Sequence, residues 1–513
     1  MKIPEEAGVV AMGIKTGLIL PDDDIGEIAI SSIGHLVGDG DIVCITESVV
    51  ARSQNRYISC EELAEEVRTE LDLPRRATVA VTSPILSRNR FALILRAIAR
   101  ATDGGRVVVQ LSIPDDEVGN RVMDEEIAMT RLRLKSIFHS LQEIRGNTPQ
   151  MNVLIREVLA ALKLQEIGYR LVGIRKITGQ GMADLTVRDS EGRTMAVEVG
   201  FGALEGTAEK VIGIMKDSGA DGALAVNVDL QTQRITIADA VAYQRGEDDA
   251  VFARLDYSDH MAAYRDRECL FFDELKGVTF SHPITKMDYP RMYRDIIMDQ
   301  GAEPDILFTN NPLKVFERGY LDGIIVAAIH QAPALKDLFL SFGTETPVSS
   351  LFEIGPEPWG VIGSNVSHQE RGILKLLPDN PDETADEVRR RIYRETGRDV
   401  EVLIFGDGAY QDPDSGIYEL ADPHPAIGCS AGLRRATLRE GTKLKLQVET
   451  LYRQGHSRKE IRDLLEEGGT SVSKESLGTT PRSVTAILGT LADLTTGSAD
   501  AGTPIVLIKN FKL

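Results

Sequence analysis

The sequence predicts an α/β (α+β) protein, a mixed-sheet core whose chain is interrupted by a second, inserted α/β domain. Two observations predict the core. Short apolar, often β-branched runs such as Ile42–Ile45, Val79–Val81, Val107–Leu111 and Val402–Phe405 read as buried strands, and amphipathic stretches of helical spacing separate them. Polar residues recur at or after such runs, at Gln110, Asn310, His330 and Asp407, where open α/β sheets meet ligands and one shared cleft is expected. A third observation predicts the insertion, because composition changes at Met123 and changes back near Asp273. The expected divisions are 1–122 and 274–440 for the two parts of the core and 123–273 for the insertion. Residues 441–513 add a helical hairpin, a helix and a strand that complete the core.

Composition narrows the class. A chain of 513 residues holds about two to three domains, each able to bury its own core. A net charge of −20 argues against a general grip on nucleic acid, which needs a basic face. Cys44, Cys60, Cys269 and Cys429 lie far apart with no C-x-x-C pair, which suits a reducing compartment rather than a disulfide framework or zinc site. No signal peptide or apolar run of membrane length is present, so a cytoplasmic protein without a membrane partner is expected.

In chain order, Val9–Leu20 reads as strand and turn leading to the acidic loop Pro21–Asp24, and Ile25–Val37 has helical spacing. Glu47–Ser53 starts a helix after the Ile42–Ile45 strand, and Glu61–Leu71 is an amphipathic helix. Ser87-Arg88-Asn89-Arg90 opens the next helix, where Arg88 could hold an anion beside free amides or simply be solvated. After the Val107–Leu111 strand come Asp115, Asp116 and Glu117, equally a cation site or the acidic first turn of a helix. No G-x-x-x-x-G-K-[ST] loop exists, so any nucleotide is held by another device. The small-residue loop Thr496–Thr503 offers backbone amides for phosphate, or is a plain connection.

The chain is organised around Leu374–Gly432. An apolar run ends at Pro378, Asp382 and Glu383 charge the first turn of a helix, and a buried strand runs from Val400 to Phe405. Gly406-Asp407-Gly408 then sets a carboxylate between glycines that let backbone approach a ligand. Asp407 is thereby a candidate metal ligand or the cap of a tight turn.

This order, LLP-x-x-PDE, helix, strand, Asp, then Ala426-Ile427-Gly428, resembles the coenzyme F-420 γ-glutamyl ligase family. Trp359–Val366 sits where that family has a glycine, an aspartate and Ser-Asn-Val, with Ile362 in the aspartate's place. Asp39–Arg56 resembles its opening strand and helix, and the likeness covers roughly the first 120 residues and about Ser281–Gly432. His282–Pro290 and Gly478–Pro504 resemble a divergent long form. The resemblance implies joining of glutamate to a carboxylate by a homodimer, with GTP (or ATP) as co-substrate and Mg²⁺ or Mn²⁺. It places Asp407 as catalytic metal ligand, Ser364 and Asn365 in the cleft, and Arg52 near an anionic substrate. With Ile362 supplying no charge, Asp115 or Asp116 would supply it. Asn310, His330 and Arg88 complete the substrate or nucleotide candidates.

Inside the insertion, helices over Ile127–Ile144 and Met151–Ile167 precede strand-like runs Arg170–Arg175, Met182–Val187 and Thr194–Val199. A helix over Glu209–Ser218 and a strand over Ala223–Val228 follow. This pattern resembles a PD-(D/E)XK restriction-endonuclease core, whose carboxylates hold Mg²⁺ and whose lysine orients water. Glu157, Asp184 and Glu198 match, but Gly200 stands at the lysine position and Lys210 is the alternative cation. A retired, structural or binding version is expected, with nucleic acid an unlikely partner. Two functions remain open: an amide-forming, nucleoside-triphosphate- and metal-dependent ligase acting on a small carboxylate and an amino acid, or a non-catalytic nucleotide- and metal-binding regulator.

Overall fold

The computed structural model describes residues 8–87, 90–143, 149–175, 183–256, 268–275, 287–363, 365–368, 370–406, 409–411, 418–420, 425–436, 438–439, 444–467, 482–496 and 502–511. They form two compact units, one of Met1–Ser59, Gly355–Tyr410 and Glu419–Leu513, the other of Cys60–Ile354 and Gln411–Tyr418.

The first unit is built on a five-stranded sheet in the order Val10–Ile14, Ile505–Lys509, Ile42–Thr46, Glu401–Phe405, Ala426–Cys429. Only Ile42–Thr46 and Glu401–Phe405 run parallel; the other neighbours are antiparallel. Alternation along each strand decides the two faces. Ile42, Cys44, Leu403, Phe405, Val506 and Ile508 pack with Val484, Leu488 and Ala492 of the helix Val484–Thr496. Helix Pro381–Thr396 packs against Glu401–Phe405 and Ala426–Cys429 and buries Ala385, Val388 and Ile392. Its limits follow from local chemistry. Pro381 fits the first turn, Asp382 and Glu383 complement the helix dipole, and Gly397 at φ +68 ends it. A smaller antiparallel sheet joins Asn365–His368, Ile373–Lys375 and Tyr57–Ser59.

The second unit holds two six-stranded sheets. One runs Leu270–Phe271, Glu303–Phe308, Arg106–Leu111, Thr78–Thr82, Gly323–Val326, Val348–Ser350, antiparallel only at its first strand. In chain order its five parallel strands lie 3-2-1-4-5, a doubly wound arrangement that reverses between Thr78–Thr82 and Gly323–Val326. Helix Arg90–Ala101, buried along most of its length, makes the first crossover.

The other sheet runs Val251–Asp256, Arg234–Asp239, Gly222–Asp229, Thr194–Gly200, Leu185–Arg188, Arg170–Ile174. Helices Glu125–Glu143 and Pro149–Glu166 supply Leu134, Phe138, Val158 and Leu159 to one face. Helix Leu204–Ser218 covers the other with Ala208, Val211 and Ile212, and its crossover explains the parallel pair Thr194–Gly200 and Gly222–Asp229. Two strands, Arg234–Asp239 and Val251–Asp256, extend the sheet beyond the run read from sequence. All four cysteines are buried free thiols. No helix among the described residues is long and apolar enough to cross a membrane.

Candidate functional site

In the first unit the parallel strands Ile42–Thr46 and Glu401–Phe405 end side by side, with Thr46 opposite Phe405. Their carboxyl ends lead into helix Glu47–Ser53 and into Gly406. Carboxyl ends of neighbouring parallel strands are where α/β sheets offer space to ligands. Asp407, the residue after Gly406, lies outside the described residues, as do Ser364 and Arg88.

At this end the structure supplies a charged pair that sequence reasoning missed. Lys375 Nζ donates to both carboxylate oxygens of Glu47, at 2.6 and 2.7 Å, and reaches Ser48 Oγ at 3.3 Å. The side chains are only 10% and 7% exposed, so each charge is stabilised chiefly by the other. Lys375 comes from the strand Ile373–Lys375 and pairs in register with Asn365, which places that candidate's backbone beside the ion pair. The signal was a lone lysine inside the apolar run Ile373–Leu377. Arg52 lies exposed in the last turn of helix Glu47–Ser53 and makes no ion pair among the described residues. Two neighbours brace the chain after Lys375. Gln54 accepts from Asp379 N at 2.8 Å and donates to its carbonyl at 3.0 Å, and Arg56 donates to the carbonyls of Leu377 and Glu357.

Gln110, Asn310, His330 and Asp407, expected to share one cleft, fall on or after strands of two units. The first three belong to the parallel sheet of the second unit, whereas the strand before Asp407 belongs to the first. Gln110 is buried within its strand, accepting from Ser83 and donating to Thr309 O at 2.6 Å. Asn310 clamps the main chain of Ile113 with both ends of its amide, at 2.9 and 2.6 Å. His330 is exposed, and its backbone N–H donates to Glu117.

The acidic trio of the second unit diverges instead of converging. Asp115 pairs with Arg121. Asp116 accepts from Leu86 N, Val118 N, Asn120 N and Asn120 Nδ2 at 2.8–3.0 Å, and burial pushes its carboxyl up to about 6 against these bonds. Glu117 accepts from the amides of Ile329, His330 and Gln331 ahead of helix Ala332–Ser341. Each carboxylate thus holds its own loop or a neighbouring one. Among the described residues no group of three or more His, Cys, Asp or Glu is arranged to hold a metal ion.

Glu157, on helix Pro149–Glu166, Asp184, just before the strand Leu185–Arg188, and Glu198, within the strand Thr194–Gly200, are all buried. Asp184 accepts from Val199 N at 3.1 Å, and Glu198 pairs with Lys210. Burial first, then the adjacent Asp184 carboxylate, raises Glu198 to about 7, while Lys210 pulls it down. Gly200 has no room for the side chain that a PD-(D/E)XK pattern asks for. A Cβ there would lie 2.1 Å from Thr207 Oγ1, which is itself fixed to Asn227 Oδ1 at 2.8 Å.

Fold and site together define a mixed α/β protein with a buried Lys375–Glu47 pair at the carboxyl ends of paired parallel strands. The family model for F420-0:Gamma-glutamyl ligase matches residues 13–510, and the chain belongs to that family. It is thereby placed among ligases that form amide bonds. No curated protein matches the chain significantly.

Proposed function

We propose that this protein condenses a small carboxylate with an amino acid, glutamate among the candidates, at the strand ends of the first unit. A nucleoside triphosphate, GTP or ATP, and Mg²⁺ or Mn²⁺ drive the reaction. The observation that carries the reading is the ligase-family match over residues 13–510, which takes in both Ile42–Thr46 and Glu401–Phe405. In the reaction a carboxylate oxygen attacks the γ-phosphorus and the nucleoside diphosphate leaves. The amine nitrogen then attacks the acyl carbon, orthophosphate departs, and the nitrogen's proton passes to solvent.

The residues take unequal parts. Arg52, which makes no ion pair among the described residues, is the cation for an anionic substrate or phosphate. Glu47 is already neutralised by Lys375, so the charge needed by a divalent ion falls to Asp407, which the chain delivers directly after the strand end. Bound there, the ion would neutralise the triphosphate. Asn365, paired with Lys375, and Ser364, which precedes it in sequence, serve as polar contacts. The protein acts as a homodimer.

One observation favours a second reading, a nucleotide-binding regulator without chemistry. Ile362, in the place of the family's aspartate, is 1% exposed and offers no ligand atom. Orthophosphate release from GTP and ATP with Mn²⁺, across a panel of carboxylates and L-amino acids, separates the two. The ligase releases phosphate only when both organic substrates are present. No release across the panel, with nucleotide binding retained, would leave the regulator.

A further inference from the structure

The first unit contains a cavity of about 580 Å³ walled by the starts of helices Ile25–Ile33 and Pro381–Thr396 and the end of helix Glu47–Ser53. That volume lies within the range of small-ligand sites, about 300–1,000 Å³. Its charged groups divide into those already neutralised and those that are not. Arg391 donates to Asp24 at 2.6 Å and to Glu387 at 2.9 Å, and Arg390 donates to Glu387 at 2.8 Å. Gly26 leaves space for Arg391 to lie across the start of its helix, since a Cβ there would meet Arg391 Cδ at 2.8 Å.

Arg56 differs. It is half-buried and donates only to the carbonyls of Glu357, at 2.9 Å, and Leu377, at 3.4 Å. No carboxylate among the described residues pairs with it. Two carbonyls orient the guanidinium without neutralising it, which leaves a fixed cation in the cavity wall with further N–H groups for a carboxylate. Asp379 is its counterpart. Gln54 clamps its main chain from both sides, while its side-chain carboxylate makes no hydrogen bond or ion pair among the described residues. Glu383, one helical turn further on, is likewise unpaired.

We propose that this cavity binds a free amino acid, with Arg56 holding the carboxylate and Asp379, with Glu383, holding the ammonium group. A triphosphate fits poorly. With Arg390 and Arg391 committed, Arg56 faces Asp23, Asp379 and Glu383, none of which has an ion pair among the described residues, so an added polyanion is repelled and a ligand that carries an ammonium group beside its carboxylate is favoured. The role as amine-donor site rests on the ligase reading, but binding itself does not, and it is measured without nucleotide or metal.

The test is calorimetric titration of the full-length protein with L-glutamate, a panel of other L-amino acids, and glutarate, which keeps the carboxylates and lacks the ammonium. Saturable binding of at least one amino acid is expected. Glutarate should bind about tenfold more weakly than glutamate, the worth of one charge-assisted contact. Arg56→Met should abolish binding of both. Asp379→Asn should weaken glutamate while glutarate binds no more weakly than before, a selectivity that a merely structural role would not produce. Should Arg56→Met fail to fold, the Asp379→Asn comparison decides alone. The proposal is overturned if no amino acid binds at millimolar concentration, if glutarate equals glutamate, or if Asp379→Asn affects both ligands alike.

Discussion

Lys375 and Glu47 come from positions 328 residues apart in sequence, and each buries a charge that the other directly compensates. Lys375→Met should therefore cost about 3–5 kcal/mol of unfolding free energy, the loss expected when one partner of a buried pair is removed. Replacing both, Lys375→Met with Glu47→Leu, should recover most of it in denaturant unfolding; strictly additive losses would contradict the coupling. Glu198 gives a pH signature. Its carboxyl titrates at about 7 in the fold, against 4.5 ordinarily, because burial and then Asp184 oppose its charge. The folded state thus holds its proton more tightly than the unfolded one. Stability from this group is full below pH 4.5 and is lost as pH rises through 7. Glu198→Gln should flatten that fall, on the order of 1 kcal/mol once Lys210's exposure is discounted, in unfolding measured from pH 5 to 8. An unchanged pH profile would contradict it. These residues show where sequence reading stopped. Arg52 and Asn365 could be singled out by their motifs, but Lys375 acquires meaning only through a partner that folding brings from another segment. Asp116 and Glu117 looked like free carboxylates because nothing in the sequence reveals which amides they bind.

Two strands of the parallel sheet were legible from the apolar runs Val79–Val81 and Val107–Leu111, which are buried, whereas the short edge strand Val348–Ser350 carries no such run. Arg234–Asp239 and Val251–Asp256 were not singled out. They lie at one side of the sheet that contains Glu198, and the outermost alternates half-buried with exposed residues, so no apolar run marks it. The strand containing Glu198 was legible, and what its neighbouring helix does to Gly200 was not. Helix Leu204–Ser218 brings Thr207 onto the glycine, so Gly200→Lys should destabilise the protein by roughly 1–3 kcal/mol through overpacking. It should not create metal-dependent cleavage of DNA. The wild type should not cleave single- or double-stranded DNA with Mg²⁺ or Mn²⁺ either. Cutting that disappears in both Asp184→Ala and Glu198→Ala would contradict this.

At the scale of the whole molecule, composition suggested an insertion between Met123 and Asp273, whereas contacts group Cys60–Ile354 into one unit. Strands read as one core belong to two sheets in different units, because apolar runs specify burial without naming their neighbours. The structure also ties Leu270–Phe271 to Glu303–Phe308 rather than to the inserted sheet. Replacing Asp124–Glu268 by a short Gly/Ser linker, with Cys269–Phe271 kept, should therefore leave a soluble protein that melts cooperatively. Aggregation at every linker length would contradict it. The central claim is that the first unit binds a metal–nucleotide complex at the end of the strand Glu401–Phe405, and thermal melting of the full-length protein tests it most directly. Mn²⁺ with GTP or ATP should raise the wild-type Tm, because a ligand that binds only the folded state stabilises it by mass action. Asp407→Asn, which keeps the shape and removes the charge, should melt normally alone and lose that metal-dependent rise. An Asn variant that responds as the wild type does would make Asp407 a turn residue and remove the chemical support for the ligase site.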